Sequence, residues 1–390
     1  MLVIRQFHFP GDIRVRREVG ALLAEGHDVD VICVRGDGDA VRDRWEGARI
    51  IRLPIPHRRG GAAGYVVEYA VFGLLAALLA AVLHLLRRYQ LVQVHSLPDP
   101  LVFAAFVPRM LGARVLLDLH ETMPEFFVTR FPSAPGWAGR VVAAAEQASI
   151  RFATHVITCT EQMKEAFVAR GAPAEKIDIV LNSADEELFD VTRHPPAPRM
   201  DGRFSLIVHG TVEERYGIDT AIDALALLAD EIPGLELQVY GRGSYLDTLV
   251  ELAEARGVGD RVHFQRDWVP FEDLVDALAR ADAGVVAMKR DAFRDLTHCN
   301  KMYELVTMRR PTLMSRTRSV EAYFDEESFA WFESDDPADL ARAIRELVGD
   351  PARAERLVDH AARRNEPYRW PHQRARYAAV VQRVLQADRR

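Results

Sequence analysis

The chain has 390 residues, of which 49% are hydrophobic and 27% charged, a composition that is typical of soluble globular proteins and excludes disorder as the main state. At about 150 residues per domain, this length allows roughly two to three domains, each with its own core. Lys and Arg number 50 and Asp and Glu 57, so the formal net charge is −7 and we expect no nucleic-acid partner.

The cysteines and the amino terminus bear on the cellular compartment. Cys33, Cys159 and Cys299 lie far apart, in no metal-ligand spacing, and an odd number of cysteines does not make a disulfide framework. The segment Met1–Ile4 runs directly into polar residues and lacks the apolar core and cleavage site of a signal peptide. Both observations predict a cytoplasmic protein.

Short β-branched runs alternate with helix-period segments through the first half of the chain. Strands are predicted at Leu2–Phe7, Val29–Val34, Arg49–Leu53, Leu91–His95, Arg114–Leu119 and His155–Cys159. Amphipathic stretches such as Ile13–Glu25 and Thr160–Arg170 separate most of these runs. The alternation predicts parallel strands joined by right-handed helical crossovers, and therefore a doubly wound α/β sheet.

An apolar stretch, Tyr69–Leu86, lies between two arginine pairs, Arg58–Arg59 and Arg87–Arg88. Its length admits three interpretations, which are a membrane span, a core helix, and an interfacial helix that docks on anionic lipid. Glu68 and His84 near its ends argue against a span, and so does its place among strands of one sheet. The third interpretation implies peripheral association with the inner face of the membrane.

A proline-rich segment separates the two halves of the chain. Residues 194–198 include Pro195, Pro196 and Pro198, which force extended backbone and cannot donate hydrogen bonds to a sheet. We therefore predict a hinge at residues 194–202, after an N-terminal domain at 1–193.

The same alternation starts again after the hinge. Strands are predicted at Phe204–His209, Leu235–Tyr240, Arg261–Gln265, Ala283–Met288 and Pro311–Met314, with helices at Asp219–Ala229, Tyr245–Ala255 and Phe271–Arg280. This predicts a second α/β domain at 203–368. A last helix at 369–390 carries Tyr377, Val380, Val381 and Leu385 at helical spacing. That helix either crosses back onto the first domain or packs on the second.

Few common catalytic motifs are present. Gly241-Arg-Gly243 follows a predicted strand, as in a dinucleotide-binding turn, but Leu246 stands where the third glycine would be, which disfavours a dehydrogenase. The sequence contains no P-loop, H-E-x-x-H or G-x-S-x-G pattern, so the common hydrolase and metalloprotease mechanisms have no starting point.

Two glycine-bearing turns follow the first strands of the two domains. They are Pro10-Gly11-Asp12 and His209-Gly210-Thr211, at the strand ends where open α/β sheets bind ligands. If they face each other across the hinge, they line one cleft whose helix N-termini suit a diphosphate, although for either one alone an ordinary tight turn is the favoured interpretation. Lys301 and Glu304 share one face of a predicted helix, where a plain ion pair is the alternative to a binding role.

Taken in order, these motifs resemble the retaining glycosyltransferases of family 4, the group 1 glycosyltransferases with the GT-B fold. The segments that carry the resemblance are Pro10-x-Asp12-x-Arg14-Val15-x-Arg17-Glu18, Asp118-Leu-His120-Glu121-x-x-Pro124-Glu125, Asn182-Ser-Ala-Asp185, His209-Gly210-Thr211, Arg215-Tyr-Gly217-Ile, and Asn300-Lys301-x-x-Glu304 with Pro311. They cover nearly the whole chain, and their order across two domains is more specific than any one of them.

The resemblance implies a function. The second domain would hold a nucleotide-sugar donor and the first a glycan, lipid-linked or small-molecule acceptor, with transfer in the interdomain cleft and retention of anomeric configuration. No metal and no cofactor are expected, because in such enzymes basic side chains and a helix N-terminus stabilise the leaving diphosphate.

Residue roles follow from the resemblance position by position. The residues implied to be catalytic are His120, Arg215 and Lys301. Those implied to bind the donor are Gly210, Thr211, Arg215, Gly241, Gly243, Asp267, Trp268, Val269, Lys301 and Glu304, with Glu304 on the ribose hydroxyls. Those implied to bind the acceptor are Gly11, Asp12, His120 and Glu121.

The sequence departs from the family pattern at two positions. The first of the two family glutamates would fall at residue 296, which is Leu296, and the neighbouring Asp295 could replace it only if the loop shifts. The usual lysine before Gly217 is Tyr216, which leaves Arg215 to supply the charge. Two alternatives therefore stay open, namely another GT-B enzyme (an inverting transferase or a nucleotide-sugar epimerase) and a catalytically weak binding subunit.

Overall fold

A computed structural model describes residues 1–55, 62–196, 202–267 and 269–386. The chain forms two compact units, unit 1 with Met1–Leu181 and Pro371–Arg390, and unit 2 with Asn182–Trp370. The first segment of unit 1 ends at Leu181, earlier than the boundary predicted at residue 193. The reason is that Phe189 is buried in the core of unit 2 and His194 is hydrogen-bonded there to Asp276, before the prolines are reached. Residues 197–201 of the predicted hinge lie outside the described residues.

Unit 1 is built on one twisted sheet whose described strands lie in the order β3-β4-β2-β1-β5-β6-β7-β8. The strands are β1 Leu2–His8, β2 Asp30–Val34, β3 Arg42–Trp45, β4 Ala48–Leu53, β5 Leu91–His95, β6 Arg114–Leu119, β7 His155–Thr158 and β8 Ile177–Ile179. The pairs are parallel except for β3 with β4. The strand order reverses between β1 and β5, and this is where an open parallel sheet leaves a crevice at the carboxyl ends of its strands.

The helices of unit 1 cover both faces of this sheet. They are α1 Ile13–Ala24, α2 Ala62–Arg87, α3 Phe106–Met110, α4 Met123–Arg130, α5 Gly136–Phe152 and α6 Glu161–Ala169. Helix α1 begins where the Asp12 side chain accepts a hydrogen bond from the backbone N–H of Val15, and it buries Val15, Val19 and Leu22 against the sheet.

Helix α2 contains the apolar stretch and lies on the surface of unit 1. Its segment Val66–Arg87 has a mean hydropathy of 2.4 and is long and apolar enough to cross a membrane, yet only 22% of its most apolar window is buried. Phe72, Ala76 and Ala80 form its fully buried face. The core-helix interpretation is therefore wrong for most of α2. A span is also disfavoured, since β4 and β5, on either side of α2, belong to one sheet.

Unit 2 repeats the design with described strands in the order β11-β10-β9-β12-β13-β14, all paired in parallel. The strands are β9 Phe204–His209, β10 Leu235–Tyr240, β11 Val262–Gln265, β12 Ala283–Val286, β13 Thr312–Ser315 and β14 Ala330–Phe332. The helices are α7 Ile218–Leu227, α8 Leu246–Ala255, α9 Phe271–Arg280, α10 Asn300–Thr307, α11 Arg318–Glu321, α12 Pro337–Gly349 and α13 Pro351–Asn365. Here the order reverses between β9 and β12, so the ligand crevice is expected at their carboxyl ends.

The last helix, α14 (Trp370–Gln386), belongs to unit 1 from Pro371 onward. Tyr377, Val380 and Val381 are almost fully buried, and the Tyr377 hydroxyl donates a hydrogen bond to Gln93 Oε1 on β5. The interpretation that this helix crosses back onto the first domain is therefore confirmed.

Candidate active site

In unit 2 the candidate site begins at the turn after β9. Gly210 has φ +93°, a backbone conformation that residues with a Cβ rarely adopt. A Cβ at this position would also lie 2.7 Å from Lys301 Cε. The positive φ thus favours glycine for the turn, and the Lys301 side chain lies across it.

Three cations surround the ring of Tyr216, in the loop that leads to α7. Lys301 Nζ lies 3.8 Å from the ring centroid, and the guanidinium carbons of Arg215 and Arg294 each lie 5.4 Å from it. Cations are attracted to the face of an aromatic ring, so Tyr216 holds the three together where the family has a lysine. We call Arg215, Arg294 and Lys301 the cation cluster.

The cation cluster is partly buried positive charge, since Arg294 is buried and Arg215 and Lys301 are half-buried. Burial, with contributions of the same sign from Arg294 and Arg215, lowers the pKa of Lys301 to about 8. Among the described residues, the buried Nε atoms of Arg215 and Arg294 have no hydrogen-bond partner. Uncompensated buried charge is costly, and it is kept most often where a ligand of opposite charge binds. The geometry is that of an anion site.

Glu304 lies one helical turn beyond Lys301 on α10. Its Oε2 is 2.6 Å from Nε2 of His209, the last residue of β9, and both side chains are largely buried. In the described parts of the chain no ion pair joins Lys301 to Glu304, so the plain ion-pair alternative is wrong. His209 orients the Glu304 carboxylate through Oε2. The other oxygen of that carboxylate, Oε1, can accept hydrogen bonds from a ligand.

The residues that replace the first family glutamate are already engaged. Leu296 is buried. Asp295 accepts a hydrogen bond from Arg290 Nε at 2.9 Å and another from the backbone N–H of Arg318 at 3.0 Å. These partners hold Asp295 in place, and its role as a replacement for the glutamate stays a prediction that requires the loop to shift.

Gly241 and Gly243 are explained by packing between two turns. A Cβ on Gly241 would lie 1.7 Å from the carbonyl oxygen of Gly210, and one on Gly243 equally close to that of Val212. These glycines let the turn after β10 run against the turn after β9, where Gly210 N–H donates to Tyr240 O at 2.8 Å. Their contact with the donor stays a prediction.

The remaining donor-side residues lie at the same edge of the sheet. Thr211 is exposed beside Gly210, while Asp267 is exposed and Val269 half-buried in the loop after β11. Trp268 lies outside the described residues. The role of this loop in covering the base stays a prediction.

In unit 1 the candidate site is centred on Asp118 and His120 at the end of β6. Fully buried Asp118 accepts two hydrogen bonds from Arg14, both at 2.8 Å, so the guanidinium meets the carboxylate in a bidentate pair. Its Oδ2 also lies 3.0 Å from His95 Nδ1 and 3.0 Å from His120 Nε2. Register brings these groups together, because His95 on β5 is paired with Asp118 on β6.

Burial and the contact with Asp118 act in opposite directions on the pKa of His120, and burial has the larger effect. Burial by itself would raise the pKa of Asp118, but Arg14 and the two histidines hold it well below its usual range. Burial lowers the pKa of His120 to about 4, so the ring is neutral at physiological pH. With Nε2–H donating to Asp118, Nδ1 of His120 carries the lone pair and is a hydrogen-bond acceptor.

The other predicted acceptor-side residues lie near this centre. Asp12 Oδ1 caps α1, and Oδ2 pairs with Arg5 Nε at 2.9 Å, so both oxygens already have structural partners. Gly11 leaves room for the turn, since a Cβ there would lie 2.9 Å from His8 Nδ1. Glu121 follows His120 and is half-buried. Their contacts with an acceptor stay predictions.

His95, Asp118 and His120 together resemble a set of metal ligands. One ligand atom from each lies within 4.8 Å of the others, which is close enough to hold an ion. However, Arg14 donates to both carboxylate oxygens of Asp118, and its fixed positive charge would repel a cation at that point. The donors fit a hydrogen-bonded network better than ligation, and the expectation of no metal stays a prediction.

Sequence reasoning does not identify Arg294 or His95. His95 could have been found, because it ends a predicted strand at the same sheet edge as His120. Arg294 lies in a short turn (residues 294–296) between β12 and α10, where neither periodicity nor a motif distinguishes it.

Comparisons with known proteins agree with this architecture. Residues 12–183 match the family model of the glycosyl transferase 4-like domain, and residues 203–350 match that of the glycosyl transferases group 1. A glycogen synthase of Mycobacterium tuberculosis is 27% identical over 59% of this chain, but the match spans only 55% of that enzyme. An alpha-D-kanosaminyltransferase of Streptomyces kanamyceticus is 23% identical over 82% of this chain and 84% of its own.

The solved structures show the same fold. A sucrose-phosphate synthase of Thermosynechococcus elongatus superposes with a TM-score of 0.76 at 19% identity, covering 99% of both chains. Two parallel-sheet units, each matched by its own glycosyltransferase model, account for 1–181 and 182–370. The chain therefore belongs to the group 1 glycosyltransferases, enzymes with the GT-B fold of two Rossmann-like domains.

Proposed function

We propose that this glycosyltransferase takes a sugar from a nucleotide-sugar bound to unit 2. It transfers the sugar to a glycan, lipid-linked or small-molecule acceptor bound to unit 1, with retention of configuration and without a metal ion. The observation that carries the proposal is the cation cluster of Arg215, Arg294 and Lys301. It stands at the strand ends where the sheet order reverses, which is where a diphosphate would be bound.

The cation cluster supplies what the leaving group needs. As the glycosidic bond breaks, negative charge grows on the diphosphate, and cations already fixed in a partly dry site stabilise that charge without reorganising. Lys301 at the first turn of α10 adds its charge to the positive end of the helix dipole. Positive side chains thus replace the charge that a divalent ion supplies in other enzymes, which supports metal independence.

His120 acts on the sugar in this proposal. Its Nδ1 accepts a hydrogen bond from a hydroxyl of the transferred sugar or of the acceptor, while Asp118 holds the ring through Nε2. Because the ring is neutral, it positions the hydroxyl without adding a positive charge that would oppose an oxocarbenium-like transition state.

A panel of nucleotide-sugars tests the function. The true donor stabilises the protein against heat, since a ligand that binds the native state raises its melting temperature. With that donor and an acceptor, NMR of the product must show the anomeric configuration of the donor, and activity must survive a metal chelator. An inverted product, turnover of donor without any acceptor, or loss of activity with chelator would each replace the proposal by a different GT-B chemistry.

A second candidate is a binding subunit with weak catalysis, which Leu296 and the engaged Asp295 favour. Without the first glutamate, contacts to the sugar hydroxyls would be fewer. The donor would then still bind and stabilise the protein, but no transfer would be detected over many hours with any acceptor. Single-turnover assays with the donor found in the panel distinguish the two candidates.

Glu304→Ala should weaken binding of nucleoside diphosphates by about tenfold to thirtyfold, because a carboxylate that accepts hydrogen bonds from ribose hydroxyls is lost. Binding of inorganic pyrophosphate should hardly change, since it has no ribose. Calorimetry measures both, and Glu251→Ala, at an exposed position of α8, is the matched control. Equal losses for nucleotide and pyrophosphate would contradict the ribose role.

Binding of a nucleoside diphosphate should take up protons at alkaline pH. Lys301, with a pKa of about 8 in the free protein, is largely neutral near pH 9, and the bound anion raises its pKa again. We expect uptake of more than about half a proton near pH 9, no uptake near pH 6, where the terminal phosphate itself titrates and releases protons on binding, and affinity that falls as the pH rises above about 8. Calorimetry in buffers of different ionisation enthalpy measures the uptake. Lys301→Arg, always charged, should abolish it, and persistence in that variant would place the proton elsewhere.

A further inference from the structure

Helix α2 exposes an apolar face on the side away from the sheet. Leu74 is 62% exposed and Leu78 58%, and Val71 and Val82 are also exposed, while Phe72 on the opposite side is fully buried. A surface helix of a soluble protein normally turns charged and polar side chains to water. Within Val66–Leu86 the acidic and histidine side chains, Glu68 and His84, are instead both buried, and Tyr69 is half-buried.

Exposed apolar side chains also occur on an element next to α2. Helix α2 packs against residues 99–105 and α3, where Phe106 and Met110 are exposed. We call the outward side chains of α2, together with Phe106 and Met110, the apolar surface. Exposed apolar side chains grouped on packed neighbours in this way are typical of an interaction site.

Charge indicates what the apolar surface binds. Among the described residues from 62 to 152, every charged side chain that is exposed is an arginine; these are Arg87, Arg88, Arg130, Arg140 and Arg151. The acidic side chains of that region are buried or half-buried. This stands against a net charge of −7 for the whole chain, so the exposed charge of this stretch is positive, and of its arginines Arg87 is paired with Asp30.

We propose that the apolar surface docks on an anionic lipid bilayer, with α2 lying in the plane of the interface. Aliphatic side chains would enter the acyl boundary while the arginines meet lipid phosphates, the pattern of interfacial helices. A second copy of this chain fits less well, because self-association would bring arginines of both copies together. The docking is independent of which sugar is transferred.

Flotation of the purified full-length protein with vesicles tests the proposal. The wild type should float with vesicles that contain about one third phosphatidylglycerol, and much less with phosphatidylcholine alone or in about 0.5 M NaCl. The triple variant Leu74→Gln, Leu78→Gln, Val82→Gln should partition at least about tenfold less. The matched control is Leu227→Gln, an equally exposed leucine of unit 2, which should float as the wild type does.

A second variant separates charge from apolar area. Arg88→Gln with Arg130→Gln and Arg140→Gln should lose the preference for anionic vesicles. All substituted side chains are exposed, so circular dichroism and melting temperatures should match the wild type. The proposal fails if the wild type stays unbound at low salt, or if the leucine and valine variant floats normally. It fails equally if that variant converts a wild-type dimer to a monomer while neither binds vesicles.

Discussion

Replacing His120 by alanine is expected to lower the turnover number for sugar transfer by about two to three orders of magnitude, which corresponds to roughly 3 to 4 kcal/mol at the barrier. The physical reason is that the Nδ1 acceptor, held in place by the bond from Nε2 to Asp118, is lost at the transferred sugar. Donor affinity, which depends on unit 2, should stay within about twofold. Steady-state kinetics with the donor found in the panel, together with calorimetry, measure the two quantities separately.

The His120 variant needs a check on structure. Removing the ring leaves Asp118 with Arg14 and His95, so the buried carboxylate keeps donors on both oxygens and the fold should persist. His27→Ala, at a half-buried histidine just before β2, is the matched control and should leave turnover unchanged. A His120 variant that melts like the wild type and also turns over like it would remove this residue from the site.

Replacing Arg294 by methionine should weaken binding of inorganic pyrophosphate and of nucleoside diphosphates alike, by about thirtyfold to a hundredfold. The guanidinium is buried beside Tyr216, and its Nε lacks a protein partner, so it is poised for a bound anion. Turnover should fall by at least as much, since the same charge stabilises the leaving diphosphate. Calorimetry with pyrophosphate, which needs no knowledge of the base, measures the first effect.

The stability of the Arg294 variant distinguishes binding from a structural role. An uncompensated buried cation destabilises the free protein, so methionine should leave the melting temperature unchanged or raise it. Arg294→Lys should recover part of the affinity, because the charge is kept and the planar geometry is lost. Arg256→Met, at an exposed arginine of α8's end, is the control. A large drop in melting temperature with normal pyrophosphate binding would contradict the assignment.

The strands that form the centres of both sheets could be predicted from the sequence alone. Buried parallel strands are covered on both faces and therefore read as apolar runs, as in Leu2–Phe7 and Leu235–Tyr240. The edge strand β3 is largely exposed and has the polar sequence Arg-Asp-Arg-Trp. Strands β8 and β14 have only three residues each, which is too short for a periodic pattern that would predict them. Local chemistry predicts an element only where burial imposes a pattern.

The candidate site also has features that the sequence predicts and features that it does not. Strand ends and turn glycines pointed to Gly210, and the resemblance to a family added Lys301 and Glu304 in the second domain and His120 in the first. They could not show that Glu304 pairs with His209 or that Arg294 joins Arg215 and Lys301 around Tyr216. Those contacts depend on which distant strands become neighbours.

The exposed face of α2 is a second feature that the sequence alone leaves undetermined. A run of apolar residues is equally compatible with a core, a bilayer or an interface, because hydrophobicity reports the preference of a side chain and not what covers it. The sequence predicts the order of the elements, the turns and the apolar periodicity, because these depend on residues that are close together in the chain. Partners, protonation states and uncovered surfaces are settled when the sheet brings remote segments together, since burial and electric field act through space.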